Sequence, residues 1–372
     1  MRRSMIQGPR PRPGILEIKP YVGGKAEVAG AAKAAKLSAN ESPLGASPRA
    51  SAAYRQVADE LHRYPEGGST ELRRAIGRRM NVDPDRIVVG AGSDELIALL
   101  IRAYAGPGEE VLYSRHGFLM YKLSALSAGA VPVEAPETQL RADVDQILAK
   151  VTSRTRMVFL ANPNNPTGSY LPAEEILRLH RGLPHDVVLV IDSAYAEYVG
   201  EPDYDSGLAL SLSAPNVVMT RTFSKIHGLA ALRVGWMTAS AGIVDVINRI
   251  RGPFNVGVPG QAAAVAAIED VDHQAAAKAH NDRWLGWLAK ELTGIGIQVH
   301  PSVGNFLLIE FPDVPGHDAA AAGEFLEKNG IIPRAMASYQ LPLCLRVTVG
   351  TEAENRRMVE LLQEFMAGQP KP

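Results

Sequence analysis

A single cysteine, Cys344, stands among the 372 residues, so no intramolecular disulfide forms and no Cys₄ or Cys₂His₂ set is present to close a structural zinc site. A reducing compartment is the expectation. Net charge is as scarce: 39 basic against 40 acidic side chains leave −1. That balance excludes the broad basic field with which proteins hold nucleic acid or an anionic membrane, and it confines any anion to a local site. Long apolar stretches are also missing. Runs such as Ala262–Ile268 and Val187–Ile191 fall far short of the roughly 20 residues that span a bilayer. After Arg2 and Arg3, Pro9, Pro11 and Pro13 occupy the place where a signal peptide carries its apolar stretch, so a cytoplasmic protein is expected. No repeat or low-complexity tract is found, which argues against a solenoid and a propeller, and nothing in the sequence points to a metal.

What is present suits a folded protein of two or three domains, with 46% hydrophobic and 21% charged residues. Residues 1–36 mix Pro, Gly, Lys and Ala without a sustained period and read as an N-terminal arm. From 37 to 268, β-rich runs alternate with helical stretches. The strands are expected at Arg86–Val89, Glu110–Tyr113, Met157–Ala161, Val187–Ile191, Asn216–Thr220 and Arg233–Thr238. This alternation predicts an α/β domain built on a doubly wound, mostly parallel sheet covered on both faces. The last two strands have no long helix between them and are expected to pair differently. From 269 to 372 the pattern changes. Trp284, Trp287, Leu288 and Leu292 make a helical apolar stripe, with Lys290 and Glu291 off it. Strands at Asn305–Phe311 and Leu343–Val349 then flank a helix near Ala319–Lys328, which predicts a smaller α+β C-terminal domain.

In an open α/β sheet, ligands sit beyond the carboxyl ends of the strands. The residues that follow the expected strands there are Gly90-Ala91-Gly92-Ser93-Asp94, Asn162 to Gly168, Asp192-Ser193-Ala194-Tyr195 and Thr222-Phe223-Ser224-Lys225. An amide, a carboxylate, a phenol and a lysine converging on one edge suit pyridoxal 5′-phosphate, whose aldehyde needs an amine and whose ring nitrogen needs an anion. A dinucleotide fingerprint starting at Gly90 is excluded, because Glu95 stands where its last glycine belongs.

On these residues the chain resembles the fold-type I pyridoxal-phosphate aminotransferases, in particular their histidinol-phosphate aminotransferase branch. The resemblance runs in family order through Lys19-Pro20-Tyr21, Leu37 to Glu41, Arg63-Tyr64-Pro65, Gly90 to Gly92, Asn162 to Gly168, Asp192 to Tyr195, Ser224-Lys225, Leu232 to Gly235 and Leu345 to Gly350. It implies that Lys225 is the covalent anchor of the cofactor and the base that moves the α-proton. Asp192 is then the anion that keeps the ring nitrogen protonated, Tyr195 and Asn165 hold the ring oxygen, and Phe118 stacks on the ring face. Gly92, Ser93 and Asp94 open a helix whose N-terminus suits the cofactor phosphate, with Thr222, Ser224 and Arg233 completing the cradle. Tyr64 is expected to reach that phosphate from the partner subunit of a homodimer. Tyr21, Asn40, Arg334 and Arg346 are expected to bind the substrate, the arginines at its anionic end. The implied reaction moves an amino group between L-histidinol phosphate and 2-oxoglutarate. An aromatic-amino-acid aminotransferase of the same branch, or a decarboxylase of a phosphorylated amino acid, would share the cofactor residues.

Overall fold

The computed structural model describes residues 11–20 and 34–368. Seven strands form the main sheet: β1 (Ile87–Gly90), β2 (Glu110–Ser114), β3 (Val131–Ala135), β4 (Thr155–Ala161), β5 (Val188–Asp192), β6 (Val217–Thr222) and β7 (Gly235–Thr238). Their order is β1-β7-β6-β5-β4-β2-β3. The β7 strand is antiparallel to both neighbours, and every other pairing is parallel. The different pairing expected of the last two strands follows from their connection. The twelve residues between β6 and β7 hold only the 3₁₀ turn Ala230–Leu232, and a parallel return is usually made through an α-helix that packs on the sheet.

The alternation of side chains along each strand builds two cores. On one face Val88, Val111, Met157, Phe159, Val188, Val190, Val218 and Met237 pack with the helices Ser93–Tyr104, Leu119–Ala128 and Ala241–Ile250. On the other, Val158, Leu160, Leu189, Ile191 and Val217 meet the helix Ala173–Gly182, while Ile87, Val89, Met219 and Trp236 meet Thr70–Met80 and Val258–Glu269. Every residue of β5 is buried, as a strand covered on both sides requires.

Three expectations are corrected here. The edge strand β3 was not foreseen, because Pro132 interrupts its pattern; proline is tolerated at an edge, where one side of the strand needs no ladder. Arg233, expected within a strand, instead takes φ 52° at the end of a 3₁₀ turn, and β7 starts only at Gly235. Gly235 packs against the backbone of Gly92 and Ser93, where a Cβ would collide. Residues 35 and 36, placed in the arm, pair in parallel with Ile331–Ile332, and Leu37 lies in the core of the C-terminal unit. Earlier in the chain, Arg12 donates to the Ala128 carbonyl, so residues 11–20 lie on the large unit before the chain crosses to the smaller one.

The second sheet has four strands, β8 (Gln298–His300), β9 (Phe306–Glu310), β10 (Arg334–Ala335) and β11 (Cys344–Thr348), in the antiparallel order β8-β9-β11-β10. One face carries Leu307, Ile309, Leu345 and Val347 onto the helices Val271–Gly294, Ala319–Lys328 and Glu352–Ala367. Trp284, Leu288 and Leu292 are buried there, and Lys290 is exposed, as the stripe predicts. The opposite face carries Phe306, Leu308, Arg346 and Thr348, with Arg334 directly across from Arg346.

Candidate active site

The carboxyl ends of β4, β5 and β6 and the start of the helix Ser93–Tyr104 surround a cavity of about 220 Å³. Its lining includes Ser93, Asp94, Phe118, Asn165, Asp192, Tyr195, Thr222, Ser224, Lys225 and Arg233, so ten of the residues singled out in the sequence meet in one place.

Asp192 ends β5 and is buried. Its carboxylate accepts hydrogen bonds from Tyr121 Oη (2.7 Å) and Thr220 Oγ1 (3.1 Å). Burial pushes its pKa up to about 6, against the lowering effect of those two donors. The group is thus ionised near neutrality yet held in a poorly solvated place, where a cation beside it gains most. Tyr121 is fully buried and stacks on Phe159 at 4.6 Å, so its hydroxyl has a fixed position. Neither Tyr121 nor Thr220 emerges from the sequence. The only available signal for Tyr121 is its spacing three residues after Phe118, which puts both on one face of a helix start.

Lys225 follows β6 and donates from Nζ to the Ala39 carbonyl (3.0 Å). Burial, helped by the nearby Arg346 guanidinium, lowers its amine to about 8. A lysine in this state supplies neutral amine near physiological pH, as a nucleophile or base requires. Tyr195 accepts from Asn40 Nδ2 (2.9 Å), and burial raises its hydroxyl to about 12, so it stays protonated.

At the other end Gly92, with φ 86°, precedes the helix Ser93–Tyr104, whose first turn has no side-chain cap. Arg233 lies over this turn: Nη2 donates to Asp94 (3.1 Å), and Nη1 donates to Ser224 Oγ (3.3 Å). A Cβ at position 92 would run into that guanidinium. Glu95 turns back to accept from the Ala91 N–H and from Asn255, which leaves the helix end to Ser93 and Asp94. Uncapped N–H groups, a guanidinium and the Ser224 hydroxyl are the donors a phosphate needs.

A second chamber of about 160 Å³ adjoins the first and shares Ala39, Phe118, Asn165, Tyr195 and Lys225 with it. Its far wall contains Asn40, Arg334, Tyr339 and Arg346. Arg346 is buried, donates to Asn165 Oδ1 and to the Ser38 carbonyl (2.6 Å), and lies 5.4 Å over the Phe306 ring. Two expected residues fall elsewhere. Tyr64 is 82% exposed, stacks on Phe254 at 4.8 Å and does not line either chamber. Tyr21 lies outside the described residues.

Comparison with known proteins fits this geometry. Residues 32–362 match the family described as aminotransferase class I and II. The chain belongs to that family. It is 54% identical over 361 residues to a histidinol-phosphate aminotransferase of Paramagnetospirillum magneticum, covering 97% of this chain and 99% of the relative. It is 55% identical over 360 residues to the same enzyme of Rhodopseudomonas palustris strain BisB18, with 96% and 99% covered. Among solved structures, it is similar to the histidinol-phosphate aminotransferase of Sinorhizobium meliloti in complex with pyridoxal 5′-phosphate (TM-score 0.86, 28% identity, 95% of this chain and 96% of that one). It shares its fold with Thermus thermophilus aspartate aminotransferase (TM-score 0.79, 22% identity, 90% and 92% covered). In this aminotransferase the donors fit the cofactor of the Sinorhizobium enzyme. The phosphate cradle at Gly92, the buried anion at Asp192 and the lowered amine at Lys225 stand at separate parts of one cavity. Among the described residues no helix is long and apolar enough to cross a membrane.

Proposed function

We propose that this aminotransferase uses pyridoxal 5′-phosphate to exchange an amino group between L-histidinol phosphate and 2-oxoglutarate, giving imidazole acetol phosphate and L-glutamate. The observation that carries the substrate assignment is the register of β10 on β11. It makes Arg334 and Arg346 direct cross-strand partners on the wall of the chamber that Lys225 also lines. Two arginines lining one chamber match a phosphate dianion better than the single negative charge of a carboxylate.

When bound, the cofactor supplies an aldehyde that captures the amine and a cationic ring that withdraws electrons from the substrate α-carbon. The chain's own residues do the rest. Asp192, held by Tyr121 and Thr220, keeps a proton on the ring nitrogen through its negative charge. Lys225, with its amine near 8, would be the base that takes the α-proton and, once protonated, the acid that gives it up again. Tyr195 and Asn165 orient the ring oxygen, and Phe118 covers a ring face. Ser93, Asp94, Thr222, Ser224 and Arg233 hold the phosphate end, Asp94 by fixing Arg233. Asn40 positions Tyr195, and Arg334 and Arg346 grip the substrate phosphate. The two half-reactions share one site, so kinetics are ping-pong. The proposal includes a cytoplasmic homodimer in which Tyr64 reaches the partner's cradle. Its exposed ring, away from its own cavity, supports that arrangement.

The test is a single half-reaction. Protein loaded with the cofactor is mixed with L-histidinol phosphate, L-histidinol or L-phenylalanine, and the change in cofactor absorbance is followed. Fast conversion by the phosphorylated amine alone supports the assignment. Comparable conversion by phenylalanine would replace it with an aromatic aminotransferase.

A further inference from the structure

Away from the cofactor cavity, the small sheet gathers three side chains that the transamination chemistry does not use. Glu310 and Cys344 are direct cross-strand partners on β9 and β11. On β8, His300 lies two residues from Gln298, the partner of Glu310, and so projects from the same face. The imidazole, carboxylate and thiol ligand atoms all lie within 4.8 Å of one another. His300 Nε2 and Glu310 Oε2 are 2.8 Å apart, and Cys344 is 4% exposed. His300 also lines an open cavity of about 510 Å³ beside Ser302 and Tyr170, which gives the group a path to solvent.

We propose that His300, Glu310 and Cys344 form a binding site for a divalent ion of the zinc type. The ligand set decides the ion. A thiolate and an imidazole favour zinc and its neighbours, whereas magnesium and calcium take oxygen ligands. Zinc bonds of about 2.0–2.3 Å put tetrahedral ligands some 3.3–3.7 Å apart. The present cluster reaches that spacing when the His300–Glu310 contact opens by about half an ångström and the thiol closes on both, movements that rotamer adjustment provides. Three protein ligands leave a fourth position, on the side of the cavity that His300 lines, for water. Such an ion ties β8, β9 and β11 together. Cys344 stands two residues before Arg346 on the same strand face, so the ion braces the strand that carries the substrate arginine.

Cofactor-loaded enzyme, freed of metal by dialysis, is titrated with Zn²⁺ and separately with Co²⁺. The expected result is one ion per chain, a rise in the melting temperature, and a thiolate-to-metal charge-transfer band in the Co²⁺ difference spectrum. The chain has one cysteine, so that band reports Cys344 alone. Cys344→Ser is expected to abolish the band, and both Cys344→Ser and His300→Gln to weaken binding at least tenfold. His300 is partly exposed, so the second variant tests the site even if the first folds poorly. Absence of binding, a Co²⁺ complex without the band, or equal binding by wild type and His300→Gln overturns the proposal.

Discussion

The two sides of the active site are built on different principles. The side that would hold the cofactor ring stands on the carboxyl ends of parallel strands, where Asp192 is buried, Lys225 is half-buried, and each is fixed by a hydrogen bond. The side that would face the substrate stands on an antiparallel sheet, where strand register sets Arg334 across from Arg346 and the latter is held by Asn165 and the Ser38 carbonyl. Burial on the first side changes the acid–base character of single groups. Pairing on the second side multiplies like charge at one place. On the proposed reading, the chemistry is set residue by residue, and the selectivity is set by the alignment of two strands.

Variants separate the two sides, beginning with the largest effect. Lys225→Ala removes amine and base together and is expected to lower transamination by at least about 10³-fold. The cofactor spectrum of that variant should lose its lysine-dependent band. Asp192→Asn is expected to cost on the order of 10²-fold in kcat, with little change in the concentration of histidinol phosphate needed for half-saturation. The same variant has a signature in the cofactor-free protein. The folded carboxyl titrates near 6 against an ordinary 3.8, so it stabilises the fold fully below 3.8, and that contribution is lost as pH rises through 6. In denaturant titrations, the stability of wild type relative to Asp192→Asn should fall by roughly 3 kcal/mol across this window, the difference removing the opposite contributions of the other carboxylates.

On the other side, Arg346→Ala is expected to reduce kcat/KM for L-histidinol phosphate by about 10–100-fold, the worth of a charge-assisted hydrogen bond to an anion. The loss for unphosphorylated L-histidinol should be much smaller. Equal losses on both amines would show that Arg346 supports the fold and does not read the phosphate. The smallest effect is expected from Tyr121→Phe. The phenol donates one hydrogen bond to Asp192, so kcat should fall by several-fold, and the carboxyl, without that donor, should titrate above 6.

This contrast also explains which parts were legible in the sequence. Asp192, Asn165, Ser224 and Lys225 follow directly on buried apolar runs, and a strand followed by polar residues is a local pattern. The helix Ala319–Lys328 was legible as another local pattern, a helical stretch set between two strand-like runs. The partners of those residues were not. Tyr121 and Thr220 reach Asp192 across 71 and 28 residues of chain, and nothing local marks a tyrosine that will donate to a distant acid. The adjacency of Arg334 and Arg346 depends on β10 joining the sheet in one particular register. Pro132 hid the edge strand, and the left-handed turn at Arg233 hid where β7 begins, since both are decided by tertiary contacts.

The short parallel pairing of Ala35–Lys36 with Ile331–Ile332 has a practical consequence for protein engineering. The segment that follows it supplies the carbonyls of Ser38 and Ala39 that accept from Arg346 and Lys225, and the amide of Asn40 that donates to Tyr195. A protease site intended to trim the front of the chain must therefore not reach Ala35, and trimming that far already removes Arg12, which donates to the Ala128 carbonyl, and Tyr21. A cut placed even a few residues later would excise part of the catalytic pocket while removing about a tenth of the polypeptide.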